Sequence, residues 1–171
     1  FDEAYSVLFP IAEEGNSEAQ YIIGNFFDEG LVVAEDPSLA IHWYEKSREQ
    51  GNLNAKAALA YLYSDEDNKL TDKEKSEKYG REIVELYSTN EYEFNSDALG
   101  WLGLFRSVGI GCDIELDLAE TFYKKSIKQL DDLNLKLEYL KNVYQPEQRT
   151  TEWYEFRHNI LTASNIWKAF V

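Results

Sequence analysis

Small and aromatic residues recur along this chain at two fixed steps, and this recurrence constrains the fold more than any other feature. Ala19, Ala55 and Ala98 are separated by 36 and 43 positions, and Gly24, Ala60 and Gly103 by the same 36 and 43. Ala4, Ala40, Ser76 and Ala119 step by 36, 36 and 43, and Trp43, Tyr79 and Phe122 by 36 and 43. Four columns in one register mark a structural unit of about 36 residues, the length of a helical hairpin that must stack on its neighbours to bury its apolar face. The residue types fit that architecture. Small side chains let two helix backbones approach closely, and the aromatic column supplies large partners that fill the next groove. The seven extra residues of the last step are placed in 87–94.

Each unit reads as two helices. In the first, Ser17–Asp28 carries Ala19, Ile22, Ile23, Phe26 and Phe27 on one face. Pro37 suits the first turn of a second helix capped by Asp36, which runs to about Gln50 and stops at Gly51. The third unit repeats this as Asp97–Val108, a Gly109/Gly111 break and Glu115–Gln129. The middle unit has Ser64-Asp65-Glu66-Asp67-Asn68 where the others carry loop glycines, so its loop is expected to be the one that departs.

Residues 1–130 resemble the Sel-one-like repeat, a relative of the tetratricopeptide repeat. The resemblance rests on Glu13-Glu14-Gly15, Ala19-Gln20-Tyr21, Gly24, Asp28-Glu29-Gly30, Val33, Asp36, Ala40, Trp43-Tyr44 and Gly51. It returns in the third unit with Gly103, Gly109, Ala119 and Phe122-Tyr123. It implies an all-α fold, a right-handed α-α superhelix or solenoid of helical hairpins with a C-terminal helical extension. It also implies a protein or peptide partner on the concave repeat surface. The repeat residues Ala19, Gly24, Ala40, Trp43, Ala55, Ala60, Ala98, Gly103, Ala119 and Phe122 are then structural. The chain opens inside a second helix, so an upstream repeat is expected.

Past the repeats, residues 131–144 read as one more helix, with Leu133, Leu137, Leu140 and Tyr144 on a stripe, suited to capping the solenoid. Pro146 marks a boundary, which divides the chain into 1–144 and 145–171. Thr150 or Thr151 then starts a helix with Trp153, Phe156 and Ile160 on one face, and Ser164 caps another. Residues 148–171 resemble the N-terminal motif of lambda-type phage exonucleases, the viral recombinase nucleases, through Gln148, Trp153, Arg157, Thr162, Ala163 and Ser164. That resemblance implies that Arg157 and Ser164 lie near the 5′-phosphate of a DNA end and that the chain is the regulatory N-terminal part of a magnesium-dependent nuclease. Its catalytic carboxylates and lysine would lie beyond Val171. Read from the residues alone, Arg157 is as well a helix-end contact and Ser164 a plain cap. No cofactor is expected in this chain itself, with magnesium belonging to the nuclease.

Composition narrows the function classes. Of 171 residues, 32 are acidic and 17 basic, and residues 1–100 hold 22 of the acidic and 8 of the basic ones. That half repels phosphate backbones and anionic membrane surfaces, so DNA is expected as a partner only if the nuclease continues. One cysteine, Cys112, allows no internal disulfide and no thiolate zinc site, which points to a reducing, cytoplasmic compartment. The acidic run at 65–68 fails as a calcium loop, because Leu70 and Ser76 stand where glycine and glutamate are required. His42 and His158 have no ligand-spaced partner. Exposed Trp153, Trp167 and Phe170 lead to an expected homodimer through the last segment, which light scattering with and without it would check.

Overall fold

The computed structural model describes residues 2–65, 70–89 and 96–143. They form seven helices and no strand: α1 (Asp2–Glu13), α2 (Ser17–Asp28), α3 (Pro37–Glu49), α4 (Leu53–Ser64), α5 (Lys73–Thr89), α6 (Ser96–Val108) and α7 (Leu116–Val143). The all-α class expected from the periodicity is the one observed. The described residues fall into two compact units, one from 2–65, 70–88 and 110–112, the other from 89, 96–109 and 113–143.

In the first unit each helix packs on the next in chain order, α1 on α2, α2 on α3 and α3 on α4. The Ser76 hydroxyl continues the series by donating to the Ala60 carbonyl (2.8 Å), which ties α5 to α4. The turns between hairpins are short because single residues do two jobs. Gly15 and Gly51 take positive φ (102° and 89°), a conformation a Cβ would strain, and so end α1 and α3. Asn16 and Asn52 follow them. Their amides close the preceding helices on Ile11 and Ser47, and their side chains cap the next helices at Ala19 (2.8 Å) and Ala55 (3.0 Å).

The same glycine column explains where helices overrun. The steps of 36 and 43 that carry Gly15 to Gly51 lead on to Tyr87 and Leu130. Neither can take the left-handed turn cheaply, and α5 runs to Thr89 while α7 runs to Val143. The separate helix expected over 131–144 is therefore a continuation of α7, with no break after Gln129. Part of the seven-residue insertion is the extra turn of α5. The expected boundary at 145 and the helices after it lie outside the described residues.

All three hairpins close their inner loops alike. Asp36 N–H donates to Phe27 C=O (2.8 Å), Asp72 N–H to Tyr63 C=O (3.0 Å) and Glu115 N–H to Arg106 C=O (2.9 Å). These pairs are related by the same steps of 36 and 43. The middle loop thus keeps the closing bond although its glycines are gone. Asp36 caps α3 through Ser38 and Leu39 N–H, and Asp72 caps α5 through Lys75 N–H, all at 3.0 Å.

Candidate functional site

The repeat columns lie in the interior. Ala19, Ala40, Ala55 and Ala60 are wholly buried, Ala98, Ala119 and Trp43 nearly so, and Phe122 is half-buried. Gly24 and Gly103 mark the closest approach within their hairpins. A Cβ at Gly24 would sit 2.4 Å from Tyr44 Cε1, and one at Gly103 would sit 2.8 Å from Tyr123 Cδ1. The side chain filling each glycine notch is thus Tyr44 or Tyr123, one position after the aromatic column. Trp43 instead reaches back to α1, edge-on to Phe9 at 5.8 Å, with Lys46 Nζ 4.6 Å from its ring centroid. The middle hairpin trades volumes: Ala60 replaces the glycine and Gly80 the tyrosine. The Gly80 notch receives Ile110, whose Cγ2 would be 2.6 Å from an added Cβ.

Two serine pairs lock the hairpins and were not among the expected residues. Ser47 Oγ donates to Ser17 C=O (2.7 Å), and Ser126 Oγ donates to Ser96 C=O (2.8 Å). Both members of the second pair lie 79 positions after the first, and Leu53 and Ile83 take the same places in the middle hairpin. Extending the alanine columns along the same steps would have found them. Removing either hydroxyl leaves a cavity and breaks a buried hydrogen bond. Ser126→Ala is expected to cost about 1 kcal/mol, read as an earlier midpoint in urea unfolding.

Half-exposed polar groups gather where α3, α4 and α5 meet. Glu45 accepts from Arg48 and from the Tyr63 hydroxyl (3.3 Å). The Arg48 guanidinium lies 5.4 Å from the Tyr79 ring centroid and Lys75 Nζ 4.9 Å from that of Tyr63. Burial, together with Glu45, raises both phenols above their ordinary range. Next to this seam, Lys56 pairs with Glu82 at 2.9 Å.

A second polar cluster lies inside the α2–α3 hairpin. The Tyr44 hydroxyl donates toward Asn25 Oδ1 (2.6 Å) and Asp28 Oδ2 (3.2 Å). Burial pushes the Asp28 carboxyl up to about 6, opposed by the Tyr44 hydrogen bond and assisted by the Glu35 charge. In the second unit, Arg106 pairs with Glu115 across the α6–α7 loop. Among the described residues no group of three or more His, Cys, Asp or Glu side chains could hold a metal ion. No helix among them is long and apolar enough to cross a membrane. Arg157 and Ser164 lie outside the described residues.

The Sel1 repeat model matches residues 17–52, which run from the first residue of α2 to the cap of α4, one full period of 36 residues. The structure of a Sel1 repeat protein from Oxalobacter formigenes is similar at 23% identity and a TM-score of 0.44, over 72% of this chain and 88% of that one. A protective antigen present in uropathogenic Escherichia coli strains, displaying an SLR fold, is similar at 23% identity and a TM-score of 0.42. That match covers 73% of this chain and 33% of the antigen. The matched segment 17–52 contains the Gly24–Tyr44 notch, the Ser17–Ser47 lock and the Asp36 cap, so each of these contacts is internal to one period.

Proposed function

We propose that this chain is a non-catalytic interaction module that holds a protein or peptide partner against its helical repeats. The observation that carries the reading is the Sel1 repeat at 17–52, whose hairpin lock and loop closure recur in the hairpin built from α6 and α7. Stacked hairpins offer an extended binding surface rather than a closed pocket. The excess of carboxylates over residues 1–100 selects a basic partner through long-range attraction. Glu14, Glu49 and Glu77 are exposed and outside the core hydrogen bonds, with Glu49 at 4.0 Å from Arg48, so reversing them tests the surface with little effect on the fold.

The experiment is capture of proteins from the native source on the immobilised chain, read by quantitative mass spectrometry. A basic protein retained at about 0.1 M salt and released near 1 M is expected. The triple variant Glu14→Lys, Glu49→Lys, Glu77→Lys is expected to hold about tenfold less of it. Equal retention by the variant would overturn the acidic surface as the contact, and metal-dependent digestion of duplex DNA by the chain would overturn the non-catalytic reading.

A second reading rests on the motif from Gln148 to Ser164. In it the repeats are the N-terminal regulatory module of a larger DNA exonuclease or recombinase of the lambda phage type. Arg157 would hold a 5′-phosphate through a bidentate contact. Undiminished binding of 5′-phosphorylated DNA by the full-length protein after Arg157→Ala would remove this reading.

A further inference from the structure

Three hairpins share one loop closure, and at one position of the loop edge the first carries a half-buried carboxyl where the other two carry serine. Asp28 ends α2. The steps of 36 and 43 lead from Asp28 to Ser64 and Ser107, both neutral. In the third hairpin Ser107 Oγ lies 3.4 Å from the Tyr123 hydroxyl, the counterpart of Asp28 beside Tyr44. The carboxyl in the first hairpin is therefore a departure from a contact that works without charge.

Proton counting shows what the departure does. The Tyr44 hydroxyl has one proton and faces two acceptors, Asn25 Oδ1 at 2.6 Å and Asp28 Oδ2 at 3.2 Å. The shorter bond takes most of the proton, so the Tyr44 hydroxyl gives ionised Asp28 only weak support against its desolvation. Protonated Asp28 instead donates to the Tyr44 oxygen, and the chain runs Asp28 to Tyr44 to Asn25 with every proton used. Among the described residues the groups that act on the cluster are acidic or phenolic. Tyr21 and Glu29 flank the cluster on the α2 side, Glu35 comes from the loop, Asp36 turns its carboxylate to the start of α3, and Tyr5 of α1 packs edge-on to Phe26. The α3 cations Lys46 and Arg48 are engaged by Trp43 and Glu45. The C-terminal end of α2 also disfavours a negative charge. Tyr44 cannot swing away, because its ring is buried in the Gly24 notch.

We propose that the α2–α3 hairpin is a proton-responsive latch, closed when Asp28 is protonated and loosened over residues 29–36 when Asp28 ionises. The sign follows from linkage. A carboxyl moved from its ordinary 3.8 to about 6 on folding contributes stability that is complete below the lower value and lost as pH rises through the upper one. The affected bond is Asp36 N–H to Phe27 C=O, which closes the loop. Its counterparts at Asp72 and Glu115 are built-in controls.

Amide hydrogen exchange of the full chain, corrected for the intrinsic pH dependence, tests the latch. Protection of the Asp36 amide is expected to fall about tenfold between about pH 5 and 7, while that of Asp72 and Glu115 changes by less than about twofold. Asp28→Asn, and Asp28→Ser as the version already present in the other hairpins, are expected to flatten the Asp36 profile. The proposal is overturned if Asp36 follows the two control amides in the unmodified chain, or if its decline persists in either variant. The comparison among the three amides decides the matter even if a variant fails to fold.

Discussion

Gly24→Ala is expected to lower the melting temperature by roughly 6–12 °C, the equivalent of about 3 kcal/mol for a chain of this size. In an open helix the same substitution would help by up to about 1 kcal/mol, because alanine is the better helix former. Packing reverses the sign. The new methyl would lie 2.4 and 2.5 Å from two atoms of the Tyr44 ring. That ring is 1% exposed and its hydroxyl is bound to Asn25, so it has nowhere to turn. Two further variants isolate the cause. Gly100→Ala places its methyl 3.8 Å from Ser126 Oγ, an ordinary contact, and is expected to leave the melting temperature unchanged or slightly raised. Tyr44→Leu is expected to absorb part of the Gly24→Ala penalty, giving a coupling of at least about 1 kcal/mol in a double-mutant cycle. Additive effects of the two substitutions would mean that the notch does not set the hairpin spacing.

The second large effect is expected at Gly111. Its φ is +69°, and an added Cβ would lie 2.1 Å from Arg81 N and 2.3 Å from Gly80 C. These are backbone atoms of α5, which no rotamer change can move. Gly111→Ala therefore lifts the segment 110–112 off α5 and exposes Ile110, now 4% accessible. Conformational strain of about 1 kcal/mol adds to the loss of that side chain's burial, about 2 kcal/mol. Cys112 reports the event directly, since it is half-buried in the same segment. Its alkylation by a neutral thiol reagent is expected to accelerate at least about tenfold, because thiol reactivity follows access to the sulfur. An unchanged rate would show that the segment does not rest on α5 through these glycines.

The stacking of hairpins was legible because its cause is local and repeated. Ala19, Ala55 and Ala98 announce close helix contacts, Asp36 with Pro37 announces a helix start, and Gly51 announces a stop, each through the chemistry of one or two residues. The overrun of α7 was legible too, in the loss of the stop glycine at Leu130, but only once Gly15 and Gly51 were seen turning the chain at positive φ. Composition placed 22 of the 32 acidic residues in residues 1–100.

Other features needed the tertiary structure because two distant residues define them jointly. Trp43 and Tyr44 are adjacent aromatics on one helix, and helical pattern alone does not say which enters the Gly24 notch. That choice depends on how α3 is rotated against α2. Gly80 reads as a repeat position that lost its tyrosine, yet its space is taken by Ile110, some thirty residues away. Asp28 looks like any acidic residue at a loop edge. What makes it chemically different is that folding surrounds it with Tyr44, Asn25 and Glu35 and withdraws water, and desolvation is a property of the assembled hairpin. The sequence by itself determined the period, the helix caps and the charge. Packing decided which side chain fills each notch and which carboxyl is partly desolvated, because burial belongs to pairs of elements and not to either one alone.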